Sequence, residues 1–255
     1  MNLPLEGLTY IGIVFRPIYV VIILFGFWAG LSRTRLSPSE RKKFFLSVSI
    51  PLIAWLIAIW ILSSRGAFMS GPGRGNPLLP IAIFSPLIIW IAAFNRSTVL
   101  DEVLEVIPSW WLIGIQVYRV LGLAFLAQLV LGRISPAFAL PAGIGDVLTG
   151  VLAPFAALAV ARSGNIAAGL TWNALGVFDL FLAVVMGILN GAGFLPPPAV
   201  PGAPPLGAYP LVMIPAYTVP LSLVLHYLSI RQLRRRRSGE EQASAPKRTA
   251  SVDIG

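Results

Sequence analysis

Four charged side chains interrupt long apolar stretches of this chain: Arg16, Arg119, Asp146 and Asp179. Within or at the edge of the same stretches lie Gln116, Gln128, Asn173, Tyr217, Thr218 and His226. A charge in hydrocarbon costs roughly 2.5 to 3.5 kcal/mol on insertion scales, so such groups face a bundle interior or a wet cavity and find partners there. Two kinds of chemistry suit this set. Opposite charges at one depth form an ion pair that locks helices together or grips a polar solute. Two carboxylates brought together can divide the work of general base and general acid.

What the chain lacks narrows this further. It has no cysteine and a single histidine, His226. Disulfides, iron–sulfur clusters, thiolate metal sites and cysteine nucleophiles are excluded, and zinc or haem would be short of ligands. No metal or other cofactor is expected. The three lysines, Lys42, Lys43 and Lys247, all lie in polar segments, so none is placed to carry a retinal-type Schiff base.

The elements that must hold these groups follow from composition. With 255 residues, 56% hydrophobic and 11% charged, and a mean hydropathy of +0.82, the chain is too apolar for one soluble core. An all-α, polytopic integral membrane protein is expected, with the lipid bilayer as its first partner. About 20 apolar residues cross the hydrocarbon as a helix. Seven stretches qualify: 8–31, 44–63, 78–94, 109–131, 143–161, 166–189 and 211–230. The membrane domain then covers 1–237, and the polar segment 238–255 reads as a disordered cytoplasmic tail.

The formal charge of +9 does not point to nucleic acid, because the basic residues sit in blocks beside apolar stretches. With the C-terminus inside, the inner side holds Arg33, Arg35, Arg41, Lys42, Lys43, Arg96, Arg162, Arg231, Arg234 to Arg237, Lys247 and Arg248. The outer side holds only Arg65, Arg74 and Arg133. The seven stretches and this asymmetry together predict seven transmembrane helices with the N-terminus outside and the C-terminus cytoplasmic, in a bacterial-type inner membrane. Arg33–Lys43 and Arg231–Arg237 are expected to meet anionic lipid headgroups. The first stretch has no positive n-region and is followed by a basic loop, so it reads as a retained helix and not a cleaved signal.

Depth follows from a rise of ~1.5 Å per residue. Arg119 and Asp179 both fall near the middle of their spans and are predicted to pair, with Gln116 one turn from Arg119 on the same face. Asp146 falls about one turn into the fifth span. Arg16 lies about two turns into the first, where it can snorkel outward, so these two form a second candidate pair nearer the outer face. Asn173 belongs to the inner half of the sixth span, and His226 reads as an interfacial hydrogen-bonding residue. Pro136, Pro141, Gly143 and Gly145 are expected to keep "RISPAFALPAGIG" out of regular helix, leaving Asp146 to cap the fifth span beside an outward-facing vestibule. Val99, Leu100, Val103, Leu104 and Ile107 have helical spacing, which predicts a short interfacial helix anchored by Trp110 and Trp111.

Gly143-Ile144-Gly145-Asp146 spells G-x-G-D. It resembles the motif that carries one catalytic aspartate in the presenilin, signal peptide peptidase and type IV prepilin peptidase group of intramembrane proteases. The resemblance implies an aspartyl protease-like enzyme in which Asp146 and Asp179 are the carboxylates, Asp179 following Phe178 where that group has Tyr-Asp. In that group the Tyr-Asp helix precedes the G-x-G-D helix, and here the order is reversed. The depth count also places the two aspartates more than ~10 Å apart.

The functional expectation is a small-solute carrier or solute-binding permease-like protein whose polar pocket lies between spans four and seven. Arg119 and Asp179 would be its buried switch, Gln116 and Asn173 would line the pocket, and Asp146 and Arg16 would flank the outer entrance. Its partners would be the bilayer and a small-molecule solute. A non-catalytic assembly or sensing protein and the protease-like enzyme are the alternatives.

Overall fold

The computed structural model describes residues 3–69 and 74–244 and contains only helices and connecting segments among them. In chain order these are α1 (Leu3–Leu31), α2 (Pro38–Ser64), α3 (Leu78–Asn95), α4 (Thr98–Val106), α5 (Ser109–Gly114), a 3-10 stretch (Ile115–Gly122) and α6 (Leu123–Val130). Then follow α7 (Pro136–Ser163), α8 (Ile166–Gly191), a π turn (Ile214–Thr218) and α9 (Val219–Ser244).

Six helical segments are long and apolar enough to cross a membrane: Tyr10–Leu31, Pro38–Ser64, Leu78–Asn95, Ser109–Val130, Pro136–Ser163 and Ile166–Gly191. Their outward faces carry bare hydrophobes, among them Phe25 at 71% and Phe181 at 65% exposure. Water would not tolerate so continuous an apolar surface, whereas lipid chains match it. The protein is therefore an all-helical membrane protein.

Three segments depart from expectation. Helix α2 starts before residue 44 because Pro38 occupies its first turn and Ser37 and Glu40 close a capping box: Glu40 N–H donates to Ser37 Oγ at 3.3 Å, and Ser37 N–H donates to Glu40 Oε2 at 2.9 Å. Helix α7 starts at Pro136, not 143, and runs unbroken through Pro141, Gly143 and Gly145. Inside a bundle, neighbouring helices compensate what proline and glycine cost a helix in water. The seventh predicted stretch, 211–230, is not among the six apolar crossings. Its first part is the π turn containing Pro215, and the regular helix beginning at Val219 runs past the apolar residues into Arg231–Arg237 and on to Ser244. Residues 238–244, expected to be disordered, are thus helical; 245–255, with Lys247 and Arg248, lie outside the described residues.

The segment from Leu211 to Leu233 is largely buried and forms the axis around which α1, α2, α3, α5 and α8 pack. The connections sort to two ends. At one end Arg35 N–H donates to Glu102 Oε1 at 2.5 Å, Arg231 Nη1 donates to Phe94 O at 2.8 Å, and Gly169 of α8 abuts Leu233. The basic residues at positions 33–43, 96, 162 and 231–237 collect there. At the other end Val200 N–H donates to Gly132 O at 2.9 Å, and Asn76 Nδ2 donates to Ala67 O at 2.9 Å.

Helix α4 is amphipathic as expected, with Leu100, Val103, Leu104 and Ile107 all buried. That face packs on α1 and α9 rather than on lipid, and Gln232 Nε2 donates to the carbonyls of Leu104 and Ile107. Trp110 is 45% exposed, while the Trp111 ring lies against Gly26 of α1.

Candidate functional site

The fourth crossing loosens at its centre into the 3-10 stretch, where side chains three residues apart eclipse one another. Gln116, Arg119 and Gly122 therefore form one column, and all three are buried. Their column meets α7 so closely that a Cβ on Gly150 would lie 2.6 Å from the Val120 backbone nitrogen. Arg119 is carried into the interior with 2% exposure.

Every nitrogen of its guanidinium is engaged. Nε donates to Asp146 Oδ1 at 2.9 Å, and Nη2 lies 2.8 Å from the same oxygen. Nη2 also donates to Asp179 Oδ2. Nη1 donates to Gly176 O at 3.3 Å and to His226 Nε2 at 3.1 Å. Because arginine has no acceptor, His226 Nε2 must be the unprotonated nitrogen, and its Nδ1–H then donates to Asn173 Oδ1 at 2.9 Å. The Asn173 amide in turn donates to Gly169 O at 2.8 Å and Ser229 Oγ at 2.9 Å. The direction of every bond is set by one starting group. His226 is neutral in this arrangement, so one guanidinium serves two carboxyl groups.

Close approach makes this geometry possible at two glycines. A Cβ at Gly145 would overlap the Asp179 carboxylate, and one at Gly176 would overlap the His226 ring. Gly145 thus lets the α8 carboxylate dock onto α7 beside Asp146, which places both acids on one guanidinium. The glycines of "GIGD" are packing positions in a continuous helix.

The predicted residues can now be placed. Arg119 and Asp179 meet, as their depths required. Asp146 neither caps α7 nor lies far from Asp179: α7 begins ten residues before it, so Asp146 sits at the depth of Arg119. Arg16 does not bond Asp146. Its guanidinium folds back toward Gly12, with Nη1 4.0 Å from Met213 Sδ, and it shares with Asp146 a cavity of about 20 Å³ that Tyr19, Tyr118 and Thr218 also line. Gln116 lies in the Arg119 column, yet its Nε2 reaches only Leu112 O at 3.5 Å. Asn173 joins the cluster through His226.

His226 is the residue whose place the sequence reading misjudged. It is fully buried at the cluster, not interfacial, and Trp172 tilts against its ring at a centroid distance of 4.9 Å while donating from Nε1 to Thr149 O at 3.0 Å. Tyr19 and Tyr118, which sequence reasoning did not single out, stack at 4.3 Å and bond Thr218 and Ser222 across to the π turn and α9. The signal available was their position beside a buried arginine, Tyr19 about one turn after Arg16 and Tyr118 next to Arg119.

Chemically, Arg119 is a clasp joining the fourth crossing to α7, α8 and α9. The guanidinium occupies the place between the two carboxylates that a shared water and proton would need for acid–base work. One acid has a second exposure. Asp146 lines a cavity of about 300 Å³ whose remaining walls, including Ile83, Phe125, Phe138, Val184 and Val219, are nearly all apolar. The cavity extends from Asn76, Gly191 and Leu206 at the far end of the bundle down to this carboxylate.

No curated protein and no solved structure matches the chain. The family described as a domain of unknown function (DUF8737) matches residues 76–234, a stretch that holds Arg119, Asp146, Asn173, Asp179 and His226 and leaves Arg16 outside. That match covers more than half of the chain, which therefore belongs to the DUF8737 family.

Proposed function

We propose that this chain is a small-solute carrier or solute-binding permease-like protein of a cell inner membrane, crossing it seven times with its N-terminus outside and its basic end in the cytoplasm. Its solute occupies the cavity of about 300 Å³ between α3, α7, α8 and the π turn, with Asp146 at the floor. The observation that carries this reading is the double engagement of Asp146, which faces the cavity and holds Arg119 in the same side chain. A solute that competes for Asp146 weakens the clasp, and α7 and α8 are then freer to shift against the fourth crossing. The π turn beside the cavity and Pro215 within it support the reading, because such irregular turns occur where helices adapt to a bound group. For the seventh crossing, the support is the buried segment from Ile214 to Ile230, which runs along the bundle axis between the two ends.

The test is a thermal-shift screen of the purified protein against pools of cellular metabolites, run in parallel on an Ala183→Trp variant whose indole fills the cavity. At least one pool is expected to raise the unfolding midpoint of the wild-type chain by several degrees and leave the variant unmoved. Pools that shift both proteins equally, or neither, contradict the reading.

A further inference from the structure

The geometry points to a small organic monocation with an apolar body, an aliphatic or aryl-alkyl ammonium, as the ligand of the cavity above Asp146; the inference rests on the solute-binding reading and names the solute's chemical class.

Three observations carry it. The first is the charge count at the clasp. Arg119 supplies one positive charge against Asp146 and Asp179, and His226 adds none because its Nε2 accepts from Arg119 Nη1. Arg16, the remaining buried cation near Asp146, lines only the small cavity on the side of Tyr19 and Tyr118, and its guanidinium turns toward Gly12 and Met213. The second is the division of labour on Asp146. Both contacts from Arg119 fall on Oδ1, and among the described residues no hydrogen bond reaches Oδ2. A carboxylate oxygen has room for two donors, and an ammonium brings three. The third is the wall. A cation is recognised there by one carboxylate, while Ile83, Phe125, Phe138, Val184 and Val219 offer no polar group to a second head. A zwitterion or dianion would leave a charge unpartnered against those side chains, which the low dielectric penalises. A neutral apolar molecule would fill the space and offer the Asp146 carboxyl group no donor.

The experiment uses the full-length protein in detergent and three water-soluble probes of matched size: phenethylammonium, 2-phenylethanol and 3-phenylpropionate. Binding is measured by isothermal titration calorimetry on the wild-type chain, on Asp146→Asn and on Ala183→Trp. The expected result is that phenethylammonium binds the wild-type protein at least tenfold more tightly than the alcohol, and that the carboxylate binds weakest. Asp146→Asn should bring the ammonium and the alcohol to similar affinity, and Ala183→Trp should abolish both. Should Asp146→Asn fail to accumulate, the ranking of the three probes on the wild-type chain, with Ala183→Trp as the cavity control, decides the matter alone. Equal binding of ammonium and alcohol, both lost in Ala183→Trp, overturns the cation assignment and leaves the solute-binding reading in place. Tightest binding by 3-phenylpropionate, or an ammonium preference that survives in Asp146→Asn, also overturns the assignment. No binding by any probe overturns the assignment and the choice of this cavity together.

Discussion

Among the described residues, two ionic clusters at different depths of this bundle invert each other. At the centre one cation, Arg119, is shared by two anions, Asp146 and Asp179. At the basic end one anion, Asp101, is shared by two cations, Arg231 and Arg235, the latter at 2.7 Å. The stoichiometry is mirrored, but the surroundings are not. The Arg119 side chain is 1% exposed, whereas that of Arg235 is 46% exposed. Water and mobile ions can replace a lost partner at Asp101, and nothing can do so at Arg119. The difference teaches where function can reside. The outer clasp pins α4 to α9 and stabilises modestly, while the inner one sets two acids on a single cation, where one competing ligand can redistribute the contacts.

The largest separation between the clusters is expected from Arg119→Met. It strands two carboxylates in the interior, at a cost of about 3 to 5 kcal/mol, and should show as a collapse of folded yield and a large fall in the detergent unfolding midpoint. If Arg119→Met is as stable as wild type, the central cluster is no clasp.

Next in size is the second layer of the same cluster. His226→Phe removes the acceptor for Arg119 Nη1 and the donor to Asn173 Oδ1, leaving buried polar groups unmet at roughly 1 to 3 kcal/mol. A His226→Gln variant, which can supply an acceptor and a donor, should recover part of that loss in the same unfolding assay.

A glycine pair sharpens the picture through its sign. Gly→Ala in a helix interior ordinarily stabilises by about 0.5 to 1 kcal/mol. Gly187→Ala should follow this rule, because its Cβ meets only Phe138 at 3.6 Å. Gly145→Ala should reverse it, because its methyl group would overlap the Asp179 carboxylate. Matching shifts of the midpoint in the two variants would mean that Asp179 does not dock at α7.

The smallest effect is expected at the outer clasp. Asp101→Asn should cost about 0.2 to 1 kcal/mol, and the difference from wild type should shrink between low and high salt as the exposed charges are screened. Salt should leave the Arg119→Met deficit almost untouched.

Much of this arrangement was legible in the residues. The depth count paired Arg119 with Asp179 because hydrocarbon forces opposite charges at one level to meet, and the spacing of Leu100, Val103 and Leu104 announced α4. The errors have a common physical source. Pro141, Gly143 and Gly145 break a helix by the rules that hold in water. In a packed membrane bundle they let α7 approach its neighbours, so the helix starts earlier and Asp146 moves to mid-depth. Counted from the end of the apolar stretch at residue 230, His226 falls near the interface, yet α9 continues through the arginines and the histidine lies in the core. The 3-10 stretch at Arg119 left no trace in the sequence, since no proline or run of glycines marks it and only the neighbouring α7 shows why the backbone tightens.

The most direct measurement is a double-mutant cycle on Arg119 and Asp179, built from Arg119→Met, Asp179→Asn and the combined variant, with unfolding free energies measured in one detergent. If the two groups share a buried bond, the combined variant should be more stable than the sum of the single losses requires, by roughly 1.5 kcal/mol or more, and more stable than Arg119→Met alone. Losses that simply add would contradict the clasp and the site built upon it.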